Sequence, residues 1–172
     1  MKIIAIDVDG VLAALETAWL SRYNRDYNDT MTKEDWTDWD VHKLVKPECG
    51  IKIYEYIEDP TIYDEVPPIE GALDGINWFR QAYFRVIYVT NSTLGASGAK
   101  YNWLQKYNFI DKLDDYIECK DKSLIRADFI VDDMPKNCWD FNGKAILYNQ
   151  PWNVNENWPG FRLTSWKEFN KR

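Results

Sequence analysis

The chain has 172 residues, 45% of them hydrophobic and 28% charged, with a net charge of −7 and a pI near 4.8. That size suits one α/β domain with room for an insertion, and the composition is that of a globular protein rather than a fibre or a disordered chain. The acidic balance argues against stable nucleic-acid binding, no apolar run approaches the roughly 20 residues that cross a bilayer, and no leader-like segment precedes Asp7.

Three scattered cysteines, Cys49, Cys119 and Cys138, form neither a disulfide framework nor a paired metal spacing, which points to a reducing, cytoplasmic setting. His42 is the only histidine. A Ser-His-Asp mechanism or a histidine-rich zinc site is therefore disfavoured, and acid–base chemistry falls to carboxylates, lysine or tyrosine.

In chain order, Ile3 to Ile6 is a short apolar run, read as a buried strand over about residues 2–7. It ends in Asp7-Val8-Asp9-Gly10, two carboxylates one residue apart where Gly10 lets the backbone turn. Helical spacing follows from about Ala13 to Tyr27, broken by Asn28-Asp29-Thr30. A second helical region starts near Thr32, with Asp35 completing a capping box. A third runs from about Cys49 to Glu58 and stops at Asp59-Pro60. Beyond the stiff connector Val66 to Gly71 come a helix over about 72–83 and a buried strand, Arg85 to Val89, ending at Thr90-Asn91-Ser92-Thr93. Residues 97–107 read as helix, Asp115 to Glu118 as a short strand, Phe129-Ile130-Val131 as a core strand ending at Asp132-Asp133, and Ala145 to Tyr148 as a further strand. A terminal helix starts at Ser165.

Strands alternating with helices predict a Rossmann-like parallel sheet with helices on both faces. More than 60 residues separate the first strand from the Ala72 helix, whereas a parallel crossover needs about a dozen. The surplus reads as a small helical cap, residues 14–68, inserted into a core made of 1–13 and 69–172.

If the strands are parallel, Asp7 with Asp9, Thr90 with Asn91, and Asp132 with Asp133 all reach one edge of the sheet, where open α/β sheets bind ligands. Clustered acids there suit Mg²⁺, which shares oxygen ligands with water and phosphate. A carboxylate beside it is a candidate nucleophile toward phosphorus. Thr90 and the turn opened by Asn91 suit phosphate oxygens, and Lys122 could neutralise a transferring phosphoryl group. Each element has a plainer reading: a tight turn for Asp7 to Gly10, a helix cap for Thr90 to Thr93, acids at a helix start for Asp132-Asp133, a solvated lysine for Lys122. Their joint order carries the argument.

That order resembles the haloacid dehalogenase superfamily, and three stretches are similar to its 5′(3′)-deoxyribonucleotidases: Asp7 to Ala13, Pro67 to Ala72, and Asp121 to Ser123 followed by Ala127 to Asp133. The tail Leu147 to Asn153 is similar too. The resemblance implies that Asp7 attacks the phosphate while Asp9 protonates the leaving oxygen and then activates water. It implies Mg²⁺ on the Asp7 carboxylate, the Asp9 carbonyl and Asp133, with Asp132 acting through water. Thr90 and Lys122 would hold the phosphate, and the cap would close over a nucleotide. The sequence departs from that family at Ala14, where an acid is common, at Leu15, where an aromatic is common, at Met134 in place of arginine, and in lacking a proline within Thr90 to Thr93. These bear on base and sugar selectivity. Trp39 and Trp36 are candidates for stacking on the base, with packing inside the cap as the alternative.

The resulting expectation is a cytoplasmic, Mg²⁺-dependent phosphomonoesterase acting on a small phosphate ester, foremost a (deoxy)nucleoside monophosphate. The rivals are a phosphatase for another small ester or a nucleic-acid end, and a non-catalytic phosphoryl-accepting domain. A receiver-like domain would place its paired acids on the first strand and its lysine last, the reverse of this order. Oligomeric state is open, a homodimer included.

Overall fold

In the computed structural model, which describes residues 1–111 and 114–170, six apolar runs pair into a single parallel sheet. The strands are β1 (Lys2–Ile6), β2 (Phe84–Thr90), β3 (Asp115–Glu118), β4 (Phe129–Asp132), β5 (Lys144–Tyr148) and β6 (Phe161–Leu163), in the order β3-β2-β1-β4-β5-β6. Ile4 and Ile6 of β1 join the larger core cluster, while Ala5 between them joins a smaller one on the opposite face. That period of two, apolar on both sides, is the mark of a strand buried within a parallel sheet.

The strand order is that of a doubly wound sheet, and it reverses between β1 and β4. The carboxyl ends of those two strands carry Asp7 and Asp132-Asp133. A crevice therefore opens where the acids are, because the connections leaving β1 and β4 run in opposite directions.

The helices are α1 (Leu15–Tyr27), α2 (Glu55–Glu58), α3 (Ala72–Gln81), α4 (Ser97–Lys106) and α5 (Pro135–Asp140). Coverage of the sheet is unequal. Ile76 of α3 and Trp103 and Leu104 of α4 belong to the larger core, whereas α5 and the loop after β3 cover the other face. Asn28 closes α1 in the left-handed conformation at φ 48°, with its N–H donating to the Asn24 carbonyl.

Between β1 and α3 every regular element is helical. Its two stems run side by side: Ala14 N–H donates to the Pro67 carbonyl and Ile69 N–H to the Leu12 carbonyl, both across an antiparallel bridge between Ala13 and Pro68. Inside it, Arg22 of α1 binds Asp59 and Glu65, and Trp19 Nε1 donates to the Ile53 carbonyl. Several expected helices there are 3₁₀ turns. The region from Thr32 is one turn, Lys33–Asp35, with the capping box formed by Thr32 and Asp35. Asp59-Pro60 ends α2 and also starts the turn Pro60–Asp64, with Asp59 accepting from Thr61 N–H.

Two elements were not legible as such. β6 is a three-residue edge strand, too short to show alternation. The segment after Ser165 is a 3₁₀ run, Trp166–Asn170, rather than an α-helix, and residues 171–172 lie outside the described residues. Trp166 packs so closely on Gly75 of α3 that a Cβ there would lie 2.2 Å from its ring, and its Nε1 donates to the Val11 carbonyl. The tail thus braces the loop that leaves Asp7.

Candidate active site

The β1 turn places Asp7 against β4, with Asp7 N–H donating to the Val131 carbonyl. Carboxylate oxygens of Asp7, Asp132 and Asp133 lie within 4.8 Å of one another, and all three residues are buried. Lys122, 3% exposed, reaches in from the turn Lys122–Leu124 and donates to Asp7 Oδ1 at 2.9 Å and Asp132 Oδ2 at 2.7 Å. Both oxygens of Asp132 are engaged, since Oδ1 also accepts from Met134 N–H at 2.9 Å and Asn137 Nδ2 at 3.1 Å. Asp133 Oδ2 accepts from Trp152 Nε1 at 2.9 Å. Gly10 turns at φ +71°, and a Cβ there would fall 2.3 Å from Asp133 Oδ2. Only glycine lets this loop lie so close to the acid.

Three buried carboxylates facing one lysine leave an excess of negative charge at this edge of the sheet. Burial pushes the Asp132 carboxyl up to about 6, against the pull of Lys122. Asp133 is pushed well above the ordinary carboxyl value, by burial and then by Asp7 and Asp132. Burial pulls the Lys122 ammonium down, but Asp7 and Asp132 push it up by more, so it stays charged. Hard oxygen donors carrying excess negative charge fit a divalent cation such as Mg²⁺.

A pH dependence follows. Unfolded aspartate titrates near about 3.9, so groups raised in the folded state stabilise the fold fully below that pH and lose the contribution as pH rises through their folded values. A divalent cation offsets that loss. The expected result is a Mg²⁺-induced rise in Tm that widens from about pH 5 to about pH 8. Thermal melts with Mg²⁺ and with EDTA check it, and an unchanging difference would contradict the charge imbalance.

Asp9 is turned differently. Its carboxylate accepts from the Tyr63 hydroxyl at 2.9 and 3.0 Å and pairs with Lys100 Nζ at 2.7 Å. Lys100, 1% exposed on α4, also donates to Thr90 Oγ1 at 2.7 Å and to the Asn91 carbonyl at 3.1 Å. Since Thr90 Oγ1 accepts from lysine, its own proton is free to donate. Thr90 is buried, and Asn91 is exposed at the mouth of the cleft.

Asp7, Asp9, Thr90, Asn91, Lys122 and Asp133 line a cavity of about 660 Å³ that also takes in Trp19, Trp36, Trp39, Tyr54 and Trp152. Trp39 is half-exposed, whereas Trp36 is buried, its ring 5.0 Å from Trp19 and 5.3 Å from Trp152. Asp7, Asp132, Asp133 and Lys122 thus come together, Thr90 and Asp9 sit beside them, and Trp36 is committed to packing as well as to the wall. Lys100, Tyr63 and Trp152 carried no signal of their own in the sequence. Trp152 alone stood within a stretch singled out by resemblance.

The fold is shared with solved hydrolases of the haloacid dehalogenase type. One from Ehrlichia chaffeensis superposes with a TM-score of 0.59 at 12% identity, covering 99% of this chain and 96% of that one. YfnB of Bacillus subtilis, solved bound to magnesium, superposes with a TM-score of 0.62 at 16% identity, covering 97% and 96%. The family model for 5′ nucleotidase, deoxy (pyrimidine), cytosolic type C, matches residues 1–171. The 5′(3′)-deoxyribonucleotidase of Clostridium acetobutylicum is 33% identical over 158 residues, 90% of this chain and 85% of that protein. That of Bacillus subtilis is 32% identical over 174 residues, 99% and 98%. The fold is that of the haloacid dehalogenase-type hydrolases. Within that class the chain belongs to the 5′(3′)-deoxyribonucleotidase family and is an enzyme of the nucleotidase kind.

Proposed function

We propose that this chain is a Mg²⁺-dependent phosphomonoesterase that dephosphorylates (deoxy)nucleoside monophosphates through an aspartyl-phosphate on Asp7. The observation that carries this reading is the Asp7, Asp132, Asp133 and Lys122 cluster at the sheet's switch point, on the floor of an aromatic-walled cleft. Family membership supports the substrate class.

Mg²⁺ would be held by the Asp7 carboxylate, the Asp9 carbonyl and Asp133, and would neutralise phosphoryl oxygens. Asp132 fits the outer role, because Lys122, Met134 and Asn137 already occupy its oxygens. Lys122 and the Thr90 hydroxyl hold the phosphate, with Asn91 at the rim. One Asp7 oxygen forms a bond to phosphorus as the ester P–O bond breaks, and Asp9 delivers a proton to the departing sugar oxygen. Asp9 then takes a proton from water, whose oxygen attacks phosphorus. The Asp7–phosphorus bond breaks, releasing phosphate, with Asp7 again a carboxylate and Asp9 again carrying the proton with which it began. Residues 14–68 act as the cap that shields this chemistry from bulk water. Three free cysteines fit a cytoplasmic setting.

A phosphate-release screen over nucleoside monophosphates and common sugar phosphates, with Mg²⁺ or EDTA, tests the reading. Mg²⁺-dependent preference for nucleotides supports it. Release only from non-nucleotide esters would move the substrate class elsewhere. Asp9→Asn is expected to slow turnover by about 10²- to 10⁴-fold while leaving Mg²⁺ affinity near that of the wild type, because the backbone carbonyl remains. Titration calorimetry beside turnover assays checks both halves.

A further inference from the structure

The turn Pro151–Asn153, just after β5, reaches the acidic edge of the sheet at three points. Gln150, which caps the turn, donates from Nε2 to the Gly10 carbonyl at 2.5 Å. Asn153 Nδ2 donates to the Asp133 carbonyl at 2.7 Å, and Trp152 Nε1 donates to Asp133 Oδ2 at 2.9 Å. The loop that follows Asp7 and the acid that follows β4 are thus tied to one short turn.

That turn is itself fixed. Pro151 presets its first φ, and Asn153 Oδ1 accepts from Gln150 N–H at 3.1 Å and from Arg162 of β6 at 2.9 Å. Gln150 and Asn153 are buried, whereas Trp152 is half-buried and reaches further. Its ring lies 5.3 Å from that of Trp36 in the inserted region, and Lys33 Nζ lies 6.0 Å from it. One side chain therefore touches both the inserted helices and a carboxylate of the acidic cluster.

An indole N–H can only donate, so Trp152 cannot itself hold a cation; it can only fix the carboxylate that does. Oδ2 of Asp133 also lies against Gly10, where a Cβ would come within 2.3 Å of it and within 3.3 Å of the Trp152 ring. A turned Asp133 carboxylate would lose the indole hydrogen bond. Partners that orient a metal-binding side chain from behind typically change metal affinity by about 10- to 100-fold when they are removed.

We infer that Trp152 is a positioning residue for Asp133: its N–H holds the carboxylate in the orientation that receives Mg²⁺, and its ring links that orientation to the seating of the inserted helices on Trp36. This rests on the Mg²⁺ site proposed above and adds what sets its affinity. The competing role, packing of the Trp152 ring alone, needs no N–H.

The test titrates the substrate-free protein with MgCl₂ by calorimetry and melts the same samples in EDTA. Trp152→Phe keeps a ring against Trp36 and removes the N–H. It is expected to weaken Mg²⁺ binding about tenfold or more, with a Tm in EDTA within about 2 °C of the wild type. Trp36→Leu keeps the N–H and removes the ring contact. It is expected to weaken Mg²⁺ binding about threefold, and by clearly less when Trp152 is already Phe. Wild-type Mg²⁺ affinity in Trp152→Phe, or a loss accompanied by a matching fall of Tm in EDTA, would overturn the inference and leave the proposed function standing. Losses from Trp152→Phe and Trp36→Leu that simply add would overturn the link to the inserted helices. An Asp133→Asn variant that binds Mg²⁺ as the wild type does would instead refute the Mg²⁺ site itself.

Discussion

Asp7→Asn is expected to lower phosphate release by at least about 10³-fold, the scale on which loss of a covalent nucleophile registers. The amide oxygen cannot form the acyl phosphate that a carboxylate oxygen forms, and the neighbouring acids are turned to other partners. Asp9 faces Tyr63 and Lys100, while Asp132 is buried beneath Lys122 and Asn137. The fold should survive. An asparagine side chain has the shape of aspartate, and the exchange removes one of the charges that push Asp133 up. Stopped assays of released phosphate, with a thermal melt of the same sample, separate loss of chemistry from loss of structure. A folded variant retaining a tenth of the activity or more would assign the nucleophile to another group.

Lys122→Met should be the most damaging change to stability at the site. The ammonium is 3% exposed and is the only cation in contact with both Asp7 and Asp132 among the described residues. Truncating one partner of a buried ion pair leaves the other uncompensated and costs about 3–5 kcal/mol. For a chain of this length that corresponds to a Tm drop on the order of 10 °C. Mg²⁺ supplies charge to the same carboxylates, so it should restore part of the loss, whereas monovalent salt should restore little to so buried a cluster. Melts in EDTA, NaCl and MgCl₂ check this. An unchanged Tm in EDTA would mean that the carboxylates are not ionised together in the folded protein.

The strands β1, β2, β4 and β5 were legible because each holds a short apolar run between turn residues, and a parallel sheet buries such runs on both faces. Once the sheet is parallel, its carboxyl edge follows, which is why Asp7, Asp132-Asp133, Thr90 and Lys122 could be assembled from residues more than 120 positions apart. What stayed hidden depends on tertiary packing. Lys100 is one lysine on a helix, and only the approach of α4 to the end of β2 turns it toward Asp9 and Thr90. Tyr63 is a tyrosine in a 3₁₀ turn until the inserted helices fold back over β1. Trp152 reaches Asp133 only because the turn Pro151–Asn153 is pinned, with Asn153 Nδ2 donating to the carbonyls of Asp133 and Tyr148. The 3₁₀ turns of residues 33–64 escaped for another reason. Turns of three to five residues, Lys33–Asp35 and Val41–Lys43 the shortest, span too little chain to show a helical period.

The central claim is that Asp7 carries the phosphoryl group between substrate and water. Rapid acid quenching with a nucleotide labelled in its phosphate tests this most directly, since an acyl phosphate survives brief acid and is cleaved by hydroxylamine. The account predicts label on the wild-type protein within the first turnover, located to the peptide holding Asp7, sensitive to hydroxylamine and absent from Asp7→Asn. Phosphate release by the wild type at its ordinary rate with no label on the protein at any quench time would contradict it.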